Sequence, residues 1–136
     1  MVEIITFKSQ SWIDNYNGNR PYYCVILGVQ VDENIAIGIE IDSGYNVNDT
    51  LSQYTLQQLR DLLEYVKEAP VEAFIQHAKD CYNQYNRWVG TEYWIEHYEI
   101  EREKADKIRE KIIKYIEEVI KTREQEIREM VKKASE

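Results

Sequence analysis

The sequence predicts an α+β protein, with an N-terminal antiparallel β-sheet followed by two packed helices and a long C-terminal helix. Three observations predict this order. Runs rich in β-branched residues fall within residues 2–47 and are separated by turn signals. A helix-capping pattern and leucines at helical spacing follow between Thr55 and Pro70. From about Glu101 onward, apolar residues recur at spacings of 3, 4 and 4, with no glycine or proline among them.

The first hairpin is predicted from a turn dipeptide. Val2–Phe7 and Ser11–Tyr16 have the composition of strands, and Asn17-Gly18 follows them directly. This dipeptide supplies the positive φ angles that a tight hairpin turn requires. We therefore expect the chain to reverse direction at residues 17–18.

The second hairpin has the clearest pattern. Two apolar runs, 22–31 and 35–42, flank a three-residue loop at 32–34, which fixes the predicted register by alternation. The predicted pairs are Val31–Ile35, Val29–Ile37, Leu27–Ile39 and Val25–Ile41 on one face, and Gln30–Ala36, Gly28–Gly38, Ile26–Glu40 and Cys24–Asp42 on the other. Two facing glycines leave bare backbone, which a helix, a partner chain or a flat ligand could approach, or which could simply mark a local twist.

Helices follow the sheet. Thr55 and Gln58 form a capping-box pattern, so the first helix is expected to begin at Leu56 and to end before Pro70. A second helix is predicted to stop at Gly90, with Thr91 capping the third helix. The apolar face of the second helix would carry Val71, Phe74, Ala78, Cys81, Tyr85 and Trp88.

The C-terminal helix is predicted to be longer than the body that could cover it. Counted from Glu92 to Ala134, it would span about 64 Å, against a body diameter of roughly 35 Å. We therefore divide the chain into an α+β body, residues 1–100, and a helix for self-association, residues 101–136. Arg123 interrupts its apolar stripe and would fix the register between copies. The predicted self-association residues are Ile108, Ile112, Ile116, Val119, Ile127 and Met130. The alternative is a bent helix that packs back on its own sheet.

Composition and charge limit the possible partners. The chain has 136 residues, 43% of them hydrophobic, and a formal net charge of −8. Residues 1–100 hold six Lys/Arg against fifteen Asp/Glu. Such an acidic body argues against direct nucleic-acid binding and suits a basic partner, including a nucleic-acid-binding protein. The sequence has no apolar stretch of membrane-spanning length and no recognisable signal peptide, so a cytoplasmic protein that does not bind membranes is expected.

Catalytic and metal-binding motifs are not recognisable. His77 and His97 have no Ser or Cys partner at a familiar spacing. His77 and Cys81 are four residues apart on the predicted second helix, but no further motif supports a metal site. Cys24 and Cys81 are expected to be buried thiols rather than a disulfide. We therefore predict no enzyme activity, no cofactor and no metal.

A polar-aromatic cluster is the predicted contact site for a partner or a small ligand. It surrounds the tip of the first hairpin and consists of Trp12, Tyr16, Asn17, Arg20 and Tyr22. Tyrosine, tryptophan and arginine are favoured where proteins bind partners. Arg20 is the only cation of the cluster.

Two functions are compatible with this pattern. The leading expectation is a non-enzymatic, oligomeric inhibitor or accessory protein that binds another protein through an acidic, tyrosine-rich surface. Its composition is similar to that of small proteins that viruses deploy inside host cells, an analogy of composition only. The alternative is a sequestering protein that holds a nucleotide-like ligand between aromatic side chains at a subunit junction.

Overall fold

The computed structural model describes residues 4–14, 18, 20–32, 35–78 and 101–136. It confirms the α+β class. Strands β1 (Ile4–Asp14), β2 (Arg20–Asp32) and β3 (Ile35–Gly44) form an antiparallel sheet, and a short strand, β4 (Phe74–Ala78), adds to the free edge of β3. A 3₁₀ turn (Leu51–Gln53), helix α1 (Leu56–Glu68) and a second 3₁₀ turn (Val71–Ala73) lie between β3 and β4. Helix α2 spans Arg102–Ala134.

The first strand differs from its prediction. Residues 4–14 form one strand rather than two, with a register shift between Gln10 and Trp12 that accommodates an extra residue. Gly18 lies in the turn that follows and has a φ of 76°, as the predicted turn requires. Asn17 and Tyr16 lie outside the described residues.

The predicted register of the second hairpin is right in its centre and wrong at both ends. Residues 26–30 pair with residues 36–40 as expected. Register shifts on either side pair Asp32 with Ile35 and Val25 with Asp42. The predicted Val31–Ile35, Val25–Ile41 and Cys24–Asp42 pairs are therefore wrong, because each bulge inserts one residue that alternation does not anticipate.

The facing glycines permit two strands to approach each other. A Cβ atom on Gly28 would lie 2.1 Å from the carbonyl oxygen of Ile37, and one on Gly38 would lie 2.2 Å from the carbonyl oxygen of Leu27. Both glycines are buried. The bare backbone predicted from the sequence is thus occupied by the neighbouring strand itself.

Helix α1 begins as predicted. The Thr55 hydroxyl accepts a hydrogen bond from the Gln58 amide at 3.1 Å, and the Gln58 side chain accepts one from the Thr55 amide at 2.8 Å. This capping box satisfies amides that have no partner within the helix. Leu59, Leu62 and Val66 then face the core.

The second predicted helix is only a 3₁₀ turn at Val71–Ala73, and the prediction is wrong over residues 74–78. Its apolar residues fit a helical spacing, but Phe74–Ala78 is a strand that pairs with β3. The remainder of that prediction, with Cys81, Tyr85 and Trp88, lies outside the described residues. So do residues 91–100, where the third helix was predicted to start. Glu101 is extended and the helix begins at Arg102, so the prediction of one uninterrupted helix from Glu92 to Ala134 is wrong.

One face of the sheet is covered by both helices. The core there combines sheet residues such as Leu27 and Ile39 with Leu59 of α1 and Ile112 of α2. On the opposite face, Cys24, Ile26 and Ala36 form a smaller buried cluster. None of the described helices is long and apolar enough to cross a membrane.

Two arginines of α2 lie at opposite ends of α1. Arg109 donates to the carbonyl oxygens of Val66 and Lys67 at the C-terminus of α1. Arg123 donates to the carbonyl oxygens of Tyr54, at 2.5 Å, and Ser52, at 2.9 Å, just before α1 begins. The two helices are therefore antiparallel, and their axial position is fixed at two points.

Candidate binding surfaces

An acidic cleft lined by tyrosines lies between the end of β3 and helix α1. Its volume is about 400 Å³. We call it the tyrosine–aspartate cleft, and its lining residues are Ile41, Asp42, Asn48, Tyr54, Gln58, Asp61, Leu62 and Tyr65. The lining thus combines two carboxylates and two phenols with apolar residues, and it includes no lysine or arginine. A lining with this negative charge attracts cations and repels anions.

A β-bulge brings Asp42 into the cleft. Ile41 is the extra residue of β3 between the Ile26–Glu40 and Val25–Asp42 pairs. Ile41 and Asp42 are adjacent in sequence, yet both line the cleft, whereas neighbours in a regular strand point to opposite faces. The bulge therefore turns the Asp42 carboxylate toward the helices.

Asp42 also shapes the loop that carries Tyr54. One carboxylate oxygen accepts from the amide of Ser43 at 2.9 Å, and the other accepts from the amide of Asn48 at 2.8 Å. The Asn48 side chain in turn accepts from the amide of Thr50 at 3.2 Å. These bonds fold residues 43–50 into a compact connection that leads to Tyr54.

Helix α1 supplies the other wall. Gln58, Asp61, Leu62 and Tyr65 follow the helical spacing that places side chains on one face. The Asp61 carboxylate accepts from the Gln57 amide group at 2.9 Å, which holds it on the helix surface. Tyr65 is 46% exposed, so its ring is accessible from solvent.

The tyrosines of the cleft stay neutral over a wide range of pH. Burial raises the pKa of Tyr54 above its usual value of 10.0, and the negative charge of Asp42 raises it further. The pKa of Tyr65 is also raised, first by burial and then by the charge of Glu40. Both phenol groups therefore remain protonated beside carboxylates, and each tyrosine can offer a hydroxyl group and a π face.

The predicted hairpin cluster is assembled only in part. The Arg20 guanidinium lies over the ring of Tyr45 at 4.6 Å, and the rings of Tyr22 and Tyr45 meet edge to face at 5.4 Å. The Tyr22 hydroxyl donates to the Ser43 hydroxyl at 3.4 Å. The backbone of Trp12 pairs with that of Tyr22. Arg20 and Tyr22 thus meet a third residue, Tyr45, that sequence reasoning missed, and the small-ligand site stays a prediction.

The predicted self-association stripe is divided by the structure. Ile108, Ile112 and Ile116 are buried in the core of their own chain, and Val119 is half-buried against it. These four residues therefore cover the sheet and α1 of their own chain. The helix that carries them is unbroken from Arg102 to Ala134, and not bent as the alternative prediction had it. Ile127 is 41% exposed and Met130 is 69% exposed, so self-association stays a prediction for the end of α2 alone.

Arg123 has an intramolecular role. Besides donating to the carbonyl oxygens before α1, its Nε lies 3.9 Å from the Glu126 carboxylate. Arg123, Glu126 and Tyr115 line an open groove of about 590 Å³ between α2 and the first 3₁₀ turn. The predicted use of Arg123 to fix the register between copies is replaced by its bonds within one chain.

The described residues bring together no group of three His, Cys, Asp or Glu side chains that could hold a metal ion. His77 lies in β4 rather than on a helix, so its predicted helical pairing with Cys81 is wrong. Cys81 and His97 lie outside the described residues. The thiol of Cys24 is buried, and its sulfur lies 3.1 Å from a carboxylate oxygen of Glu40.

Comparison of the chain with protein-family models, with curated proteins and with solved structures finds no match. The interpretation of these surfaces therefore depends on their geometry and charge.

Proposed function

We propose that this protein is a non-enzymatic binding protein whose tyrosine–aspartate cleft binds a basic segment of another protein. The observation that carries the proposal is the composition of the cleft. Asp42 and Asp61 supply negative charge, while Tyr54 and Tyr65 supply aromatic faces beside it.

Lysine and arginine side chains match this surface in two ways. A carboxylate attracts the cationic head group, most strongly where the pair is shielded from water. An aromatic ring attracts the same cation through its π face and packs against the aliphatic stem. Leu62 and Ile41 also line the cleft, and they offer apolar contact to the aliphatic stem of the bound side chain.

The charge of the body supports the same class of partner. Residues 1–100 carry fifteen acidic side chains against six Lys/Arg. Such an excess speeds the approach of a basic protein and disfavours acidic ones. The resulting binding is expected to weaken as salt is added, because salt screens exposed charges.

The test is a titration of isotope-labelled protein with a pool of synthetic peptides that contain a central lysine–arginine pair. The amide signals of residues 42–65 should shift, and glutamate-substituted peptides should leave them unchanged. The double variant Asp61→Asn, Tyr65→Ala should bind about tenfold more weakly, as expected when a charge contact and an aromatic contact are both lost.

The matched control is Asp49→Asn, which removes an exposed carboxylate that does not line the cleft. It should change peptide affinity far less than the cleft variant. Equal effects of the two variants would show that only net charge matters, and the proposal would then be wrong. Absence of binding by every peptide of the pool would also contradict it.

A further inference from the structure

The last turns of α2 carry an apolar stripe that no described part of the chain covers. The helix is buried at Ala105, Ile108, Ile112, Ile116 and Ile120. Residues 125–136 are all exposed. Ile127, Met130, Val131 and Ala134 nevertheless fall on one face of these turns, at the spacing i, i+3, i+4 and i+7.

This exposed stripe continues the buried one. Eleven residues separate Ile116 from Ile127, and also Ile120 from Val131, which is close to three full turns. The face that packs on the sheet therefore extends beyond the body without a change of direction. Met130 is 69% exposed and Val131 is 61% exposed.

We propose that this stripe docks against the same stripe of a second copy of the chain, with the two helices antiparallel. The proposal goes beyond the binding of a basic partner and concerns a different surface. Charge supports the antiparallel direction, as follows from the residues that flank the stripe.

Glu126 and Lys133 lie seven residues apart on one flank of the stripe. Antiparallel helices bring like flanks together, so Glu126 of each copy would meet Lys133 of the other when the twofold axis passes between Glu129 and Met130. Both charges are exposed and available, although Glu126 also lies 3.9 Å from Arg123 of its own chain.

A parallel pair would use different neighbours. In that arrangement one flank faces the opposite flank of the other helix, so Glu126 would lie nearest to Arg128 of the second copy and Lys133 nearest to Ser135. Lys133 would then have no acidic partner. The two directions therefore differ in how dimerisation responds to a change at Lys133.

The interface has few apolar side chains per copy and falls short of the roughly 800 Å² per partner that is typical of stable complexes. We therefore expect a reversible dimer whose population rises with concentration. Sedimentation of the full chain over about a hundredfold range of concentration should detect it.

Charge reversal tests the pairing. Glu126→Lys and Lys133→Glu should each weaken dimerisation by about tenfold, and the double variant should restore it. The control is Glu129→Lys, which makes the same change of charge on the opposite face of the helix and should have little effect. Circular dichroism of each variant reports whether the fold is kept.

Three outcomes would overturn the proposal. The first is a monomer at every concentration. The second is dimerisation that Lys133→Glu leaves unchanged, as expected for a parallel pair. The third is a dimer that survives Ile127→Ser combined with Val131→Ser, since the stripe would then not be the interface. None of these outcomes bears on peptide binding at the tyrosine–aspartate cleft, which is measured separately.

Discussion

The Arg109 guanidinium donates a hydrogen bond from Nη1 to the carbonyl oxygen of Val66 at 2.6 Å. The carbonyl groups in the last turn of a helix have no amide partner within it, and they carry its partial negative charge. A half-buried cation from α2 therefore satisfies the end of α1. The same guanidinium lies 4.8 Å from the centre of the Phe74 ring, so it links both helices to the start of β4.

Replacing Arg109 with methionine should lower the free energy of unfolding by about 1.5–3 kcal/mol, because a charged hydrogen bond to α1 is lost. Urea unfolding followed by circular dichroism measures the change. Arg109→Lys should be intermediate, since an ammonium group cannot reproduce the planar fork. Arg102→Met, at an exposed position of the same helix, is the control. A loss no larger than that of the control would contradict the role given to Arg109.

Gly28→Ala should be severely destabilising. The new Cβ atom would lie 2.1 Å from the carbonyl oxygen of Ile37 and 2.6 Å from the Cα atom of Gly38, so two central strands must separate. Gly18→Ala provides the comparison, because a Cβ atom there meets nothing within 4 Å and only its φ of 76° is unfavourable. We expect a cost of about 1–2 kcal/mol at Gly18 and a larger one at Gly28. Thermal unfolding of both variants checks that Gly28→Ala loses more stability than Gly18→Ala. Equal losses of stability would contradict this prediction.

Alanine substitutions of two isoleucines compare the covered part of α2 with its exposed part. Ile116 is fully buried and Ile127 is 41% exposed. Ile116→Ala should cost about 2–5 kcal/mol through lost packing and a cavity. Ile127→Ala should cost no more than about 0.5 kcal/mol in dilute solution. Comparable losses in urea unfolding would mean that residue 127 is covered within one chain.

The tyrosine–aspartate cleft should affect stability at alkaline pH. The pKa of Tyr54 is raised in the folded state, so the unfolded chain loses this proton first as the pH rises through 10.0. The contribution of the neutral Tyr54 phenol to the free energy of unfolding is complete below that pH. It is lost as the pH rises toward the pKa of Tyr54 in the folded protein. Tyr54→Phe should therefore reduce the alkaline loss of stability. Unfolding experiments at several pH values above and below 10.0 measure the free energy of unfolding of both proteins. If this free energy falls equally steeply with pH in Tyr54→Phe, the pKa of Tyr54 is not raised in the folded state.

Local signals predicted local structure correctly. The capping box at Thr55 and Gln58 requires only residues that are close in sequence, and α1 begins at Leu56 as expected. The centre of the second hairpin was also predictable, because alternation there is unbroken. The error at residues 74–78 has a different origin. Val71, Phe74 and Ala78 fit a helix, but pairing with the edge of β3 makes residues 74–78 a strand, and a single sequence does not reveal that edge.

The candidate site was predicted less well. Arg20 and Tyr22 were expected together because both lie near the tip of the first hairpin, whereas Tyr45 joins them only through the loop after β3. The tyrosine–aspartate cleft was expected only as a general acidic, tyrosine-rich surface. Tyr65 could have been placed beside Asp61 by its spacing on α1. Their approach to Asp42 depends on the bulge at Ile41, which alternation could not predict.

That bulge makes the face on which Asp42 lies a matter of chain length rather than of side-chain chemistry. Lengthening β2 by a single residue between Val25 and Ile26 would give Ile41 a partner, restore regular alternation and send the Asp42 carboxylate to the far side of the sheet. The amino-acid composition would hardly change, yet the cleft would lose one of its two anions. For a protein whose binding cleft depends on a β-bulge, insertions and deletions within a strand can alter recognition more abruptly than substitutions do.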